Sequence, residues 1–108
     1  MIVVTTETIS NKRITETLGL VRGNTIRARH VGRDILAGLR TLVGGEIHEY
    51  AKLLAESREQ ALDRMVAEAR ELGADAIVSV RFSTSVIIGG AAEMLAFGTA
   101  VKLVDSQE

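Results

Sequence analysis

Residues 46–72 carry the longest coherent pattern in the chain, rich in Ala, Leu, Glu and Arg, with Gly44-Gly45 before them and Gly73 after. A helix over this span would be about 40 Å long at 1.5 Å per residue. Gly73 stands where a C-capping glycine belongs. A rod of that length in a chain of 108 residues needs a second layer to bury its apolar stripe. The flanking segments supply strands. Ala76, Val78, Val80 and Phe82 alternate with Ile77, Ser79, Arg81 and Ser83, as in a half-buried strand. Gly89-Gly90 offers a turn, and residues 93–104 return antiparallel.

Ahead of the helix, residues 2–6 read as a short strand before a polar turn at Ile9-Ser10-Asn11. Residues 13–22 and 25–30 carry β-branched residues on either side of Gly23-Asn24, a pair suited to a hairpin or bulge. Residues 34–43 could form a short helix that Gly38 weakens. The expectation is one domain over 1–108, of class α+β: an antiparallel sheet with one long helix packed across it. One helix cannot cover both faces of a sheet. Yet Leu95, Phe97, Thr99, Val101 and Leu103 on one face of the last strand, and Met94, Ala96, Gly98 and Ala100 on the other, are apolar or small. That surplus predicts self-association.

Several function classes fall away on composition. The chain has no Cys, which removes disulfides, thiolate metal sites and cysteine catalysis together. Its net charge of −1 argues against a nucleic-acid binder working through bulk positive charge. Phe82, Phe97 and Tyr50 read as core or margin residues rather than base-stacking platforms. The longest uncharged run, Phe82 to Ala92, is too short and too polar for a membrane span. The helix's acidic polar face disfavours membrane docking. Met1 leads directly into Ile2-Val3-Val4 with no basic n-region, so the expected location is cytoplasmic. No nucleophile elbow or triad is present, and no enzymatic activity is expected.

The near-neutral total hides an asymmetry. Lys12 to Arg40 holds seven basic and two acidic residues, whereas Glu46 to Asp75 holds four basic and eight acidic ones. The two segments can be ordinary solvated surfaces, or they can face each other between copies. On a helical wheel with Ile47 at zero, Met65, Ala51, Ala69, Leu54, Leu72, Ala61 and Leu62 make an apolar stripe, and Arg58 falls inside it at about 20°. Desolvating an unpaired guanidinium costs several kcal/mol. Arg58 is therefore expected to meet a carboxylate, a row of carbonyls, another subunit or a bound anion, with an inter-element or inter-subunit ion pair the reading adopted.

A second candidate is an anion or small-metabolite site. Arg29, His30, Arg33 and Arg40 crowd the segment just before Gly44-Gly45 and the helix. A helix N-terminus favours a phosphate or carboxylate, and arginine offers a bidentate fork. Glu46 in the first turn would compete for the positive helix end. The alternative is that these residues pair the acidic helix of a neighbouring subunit.

Gly19-Leu-Val-Arg-Gly-Asn24, Gly32-Arg-Asp-Ile35, Gly44-Gly-Glu46, Glu49-Tyr50, Arg64-Met65, Gly73-Ala-Asp-Ala-Ile-Val78, Arg81-Phe82 and Ala96-Phe-Gly-Thr-Ala-Val101 together resemble the YbjQ family. These are small bacterial and archaeal proteins labelled as heavy-metal-binding. The match runs over nearly the whole chain. The resemblance implies a dodecin-like subunit assembled as a ring, a homopentamer, with no established reaction. Asp75 and Ser79 stand where the family pattern suggests Asn and Gly. The heavy-metal label meets a poor ligand set here. A soft metal favours thiolate or thioether, there is no Cys, and the imidazoles are His30 and His48, without local ligand spacing. A ring could still gather one His from each copy on its axis. No other cofactor is evident.

Overall fold

The computed structural model describes residues 1–27, 45–87 and 91–106. Its elements are β1 (Ile2–Val3), β2 (Lys12–Arg27), α1 (Gly45–Glu71), β3 (Ala76–Ile87) and β4 (Ala91–Asp105). The sheet order is β1-β3-β4-β2. β4 pairs antiparallel with both β2 and β3, while β1 pairs parallel with β3. The class is α+β as expected, but the sheet is mixed rather than antiparallel. A two-residue strand has no alternation from which its direction could be read. Beyond Val3 the same contact continues: Val4 N–H donates to the Ile77 carbonyl, Val80 N–H to the Val4 carbonyl and Ser79 N–H to the Thr6 carbonyl. The turn before β2 has Asn11 at φ 64° and Lys12 N–H bonded to the Ile9 carbonyl.

Gly23-Asn24 makes neither a hairpin nor a bulge. β2 runs straight through it, in register with β4 from Val21↔Gly98 to Arg27↔Ala92. The bulges fall earlier, between Ile14 and Glu16 and between Thr17 and Gly19. Gly23 is there because α1 crosses over it: a Cβ at this position would overlap the Ala61 carbonyl oxygen and the Met65 nitrogen. The glycine serves close approach, not a turn. The short helix expected at 34–43 and the Gly89-Gly90 turn lie outside the described residues.

The helix ends as its sequence dictates. Gly73 adopts φ 77°, its N–H bonds the Arg70 carbonyl, and the Ala74 N–H bonds the Ala69 carbonyl. This pair of bonds is the Schellman arrangement, which satisfies carbonyls the helix itself leaves open. Ala74 packs against the same core as Ala69, closing the cap with an apolar contact.

One break in β3 redistributes its side chains. Ser79 sits at φ 55°, and the register with β4 slips between Val78 and Arg81. The extra residue flips the alternation. Ala76 and Val78 consequently face away from the helix, packed with Val101, Val4, Ile9, Ile14 and Leu103. Ile77 and Val80 face the helix, in a core with Val21, Ala61, Met65, Ala69, Met94, Ala96 and Ala100. Simple period-two reading placed Val78 and Val80 on one face; the left-handed bulge residue separates them. The fold thus has two small cores, one under α1 and one under the N-terminal segment.

Candidate functional site

The buried row of α1 is Ser57, Ala61, Met65 and Ala69. Successive members are four residues apart, so the row winds about 40° per step around the helix. A flat wheel averages this drift away. It is the reason Arg58, placed within the apolar stripe by its mean angle, is exposed on the folded chain. At the level of Arg58 the sheet lies under Ser57, roughly a quarter-turn away. Arg58 makes no ion pair with the described residues.

Each flank of the buried row has its own chemistry. On the β2 side, Arg64 Nη1 donates to the Asn24 carbonyl, and the Glu68 carboxylate accepts the Arg22 N–H at 3.2 Å. These backbone groups belong to an outer strand, where unpaired N–H and C=O groups invite pairing with another chain. The helix side chains occupy both groups. Asn24 is held from its other end, its Nδ2 donating to Glu93 Oε2 at 3.1 Å.

On the opposite flank stand Leu54, Arg58, Leu62 and Val66. Leu54, Leu62 and Val66 are half-buried. Because α1 lies over β2 and β4 and barely touches β3, this flank overhangs a strip of β3 that nothing described covers. Phe82 lies on that strip and is 46% exposed; it is neither core nor margin, as the sequence had suggested. The result is a step whose wall is the helix flank and whose floor is β3, with Arg58 on the wall. The enclosed space between α1 and the sheet, among Thr25, Leu54, Ser57, Thr84 and Met94, is only about 10 Å³, room for a water at most.

Among the described residues, the other face of the sheet is covered at one end only. Residues Val4 and Ile9 close over Val78 and Val101, and Arg81 ties this segment down through Nη1 donating to the Thr5 carbonyl at 2.9 Å. Toward the far end Leu20 is 62% and Ile26 59% exposed. Both flank half-buried Leu95 and Phe97 in the register Leu20↔Thr99, Arg22↔Phe97, Asn24↔Leu95, Ile26↔Glu93. Glu93 shares this face.

Of the sequence-derived candidates, Arg29, His30, Arg33, Arg40 and Gly44 lie outside the described residues. Gly45 is the first residue of α1 and His48 lies in its first turn. Among the described residues no three or more His, Asp or Glu side chains converge as a metal-binding group. With no Cys in the chain, the described donors do not fit a soft-metal centre. Among the described residues no helix is long and apolar enough to cross a membrane. The ion pair Lys12–Asp105 joins the ends of β2 and β4, and Lys12, through its hydrogen bond first and its charge second, holds the Asp105 carboxyl below its ordinary range. Neither the step nor the β2 clamp was read from the sequence. The signal available for the clamp was Gly23 opposite Arg64-Met65, two motifs noted separately.

The YbjQ family, described as "Putative heavy-metal-binding", matches residues 1–104, and the chain belongs to it. A UPF0145 protein of Methanosarcina acetivorans is 58% identical over 105 residues, covering 97% of this chain and 99% of that one. A UPF0145 protein of Archaeoglobus fulgidus is 58% identical over 103 residues, 95% of each chain. One from Psychromonas ingrahamii is 57% identical over 95% of this chain and 98% of its own. Among solved structures, a protein of unknown function of the DUF74 family from Pediococcus pentosaceus superposes with a TM-score of 0.66 at 15% identity. It covers 96% of this chain and 98% of its own, a likeness of fold.

Proposed function

We propose that this member of the YbjQ family works as a symmetric homo-oligomer in the cytoplasm, a dodecin-like subunit repeated about a ring, most simply a pentamer. Its binding function belongs to the space between copies. The observation that carries this reading is the exposure of Leu20, Ile26 and Phe82, at 62%, 59% and 46%, on two different faces of one sheet. With half-buried Leu95 and Phe97 on one side, and Leu54, Leu62 and Val66 on the other, they extend apolar surface over both faces, of the kind that marks an interaction site. The shape supports it as well. The radius of gyration is 17.6 Å, against about 13 Å for a compact domain of this length, so the single chain is elongated. A closed ring would bury these surfaces and create a central space that a monomer lacks.

The heavy-metal label is not the reading these residues favour, since thiolate is absent and imidazole scarce. The test is native mass spectrometry of untagged protein purified without added metal. The expected spectrum is a single multiple of the chain mass, with any retained ligand visible as an added mass. A monomer at micromolar concentration refutes the assembly.

A further inference from the structure

Two side chains of α1 occupy main-chain groups of β2. Arg64 Nη1 donates to the Asn24 carbonyl, and Glu68 Oε1 accepts the Arg22 N–H at 3.2 Å. Both groups turn away from β4, and among the described residues β2 is the outer strand on this side of the sheet. From Gly19 to Arg27 the register with β4 runs without a break, so the direction of the main-chain groups alternates strictly. Val21, Gly23 and Thr25 turn theirs to β4, while Leu20, Arg22, Asn24 and Ile26 turn theirs to the edge. Earlier in the strand, the bulges between Ile14 and Glu16 and between Thr17 and Gly19 break the spacing that another strand would need. The regular stretch of the edge is the stretch that α1 holds.

We propose that residues 20–26 of β2 form a strand-pairing site for a second copy of this chain, kept latent by Arg64 and Glu68. The register selects the occupant. A twofold axis through Gly23 sets Arg22 opposite Asn24 of the partner subunit, and Leu20 opposite Ile26 of the partner subunit. Each such pair can exchange two main-chain bonds, so all four edge residues find partners at once. The side chains agree with the backbone. Leu20 and Ile26, 62% and 59% exposed, become an apolar cross-strand pair, and Arg22 meets a neutral amide. An axis at Arg22 would instead oppose two guanidinium groups. In the wild type the Arg22 donor and the Asn24 acceptor are already taken by Glu68 and Arg64. The buried Ala61, Met65 and Ala69 fix these two helix residues over the strand, and an intramolecular partner outcompetes a second copy at ordinary dilution. The inference does not rest on the ring proposed above, since a monomer and a ring would carry the same edge.

The experiment measures mass by light scattering over a dilution series, with circular dichroism as the check on folding. R64A/E68A frees both groups and is expected to raise the mass at least twofold above wild type, increasing with concentration, because a twofold contact joins assemblies in pairs. E68A frees the Arg22 amide alone and is expected to associate in the same way at higher concentration, so the test survives a double variant that fails to fold. R64K/E68Q retains a donor and an acceptor and is expected to keep the wild-type mass. Arg22→Pro removes the edge amide at a position where proline is tolerated, and added to R64A/E68A it is expected to restore the wild-type mass. Folded R64A/E68A and E68A that stay at wild-type mass, or association that Arg22→Pro leaves intact, overturns the proposal. So does a lowered mass when Arg22→Pro is placed in the wild type, since the edge would then be engaged rather than latent.

Discussion

Gly23→Ala adds one methyl group at the tightest contact of the fold. That methyl would overlap the Ala61 carbonyl oxygen and the Met65 nitrogen and stand 2.7 Å from Arg64 Cβ. Two of these three are helix backbone, which cannot rotate away. Restoring ordinary contact requires α1 to retreat from β2 by about 1 Å, and a gap of that size forfeits a quarter to a half of the dispersion energy along the contact. The row that would lose contact is Ser57, Ala61, Met65 and Ala69, all buried. Overpacking of this kind costs typically 1–3 kcal/mol and occasionally more; with rigid backbone on both sides the upper end applies, about 3 kcal/mol. For a domain of this size the melting temperature should fall by roughly 12–24 °C. The assay is urea and thermal unfolding followed by circular dichroism at one fixed protomer concentration, since assembly itself raises the apparent stability. Faster hydrogen exchange at the Arg22 amide should accompany the loss, because Glu68 moves away with the helix. A loss below about 1 kcal/mol would refute the claim that Gly23 is required for helix approach.

Ser79→Gly should stabilise the chain by about 0.5–1 kcal/mol, because Ser79 holds a left-handed φ of 55° that costs an L-residue with a side chain and not glycine. A lower urea midpoint in that variant would contradict it. Asp105 titrates below its ordinary range because of Lys12, so its contribution is present above the unfolded-state carboxylate pKa and is lost as pH falls through the depressed folded value. NMR titration should show the depression, and Asp105→Asn should remove that part of the acid-side slope; an unchanged slope counts against the pair.

The helix and the last strand were legible because their patterns are long. Twenty-seven residues between glycines leave little choice of element, and Gly73 caps the helix as its position indicated. The last strand's two apolar faces do pack on two cores, Met94, Ala96 and Ala100 on one side and Val101 and Leu103 on the other. Gly23-Asn24 was misread because a turn glycine and a close-approach glycine look alike until the helix above is known. Arg58 was placed on the wheel correctly, but burial depends on where the sheet lies at each level of the helix, and the contact row drifts. Phe82 reads as core in any pattern; only the lateral position of α1 over β2 and β4 exposes it. As for the candidate anion and metal residues, those with described positions, Gly45, His48 and Arg58, all lie on α1, and the rest precede it.

By itself the sequence determined the long helix and its cap, the two strands that follow it and the α+β class. These follow from local periodicity and from glycine stereochemistry, which act over a few residues. Tertiary structure decided the rest: a parallel β1, a bulge at Ser79 that exchanges the faces of β3, the helix set to one side, and the step that this offset leaves open. Each depends on where two distant segments meet, and a contact between residues 23 and 61, or 24 and 93, leaves no periodic trace in the chain.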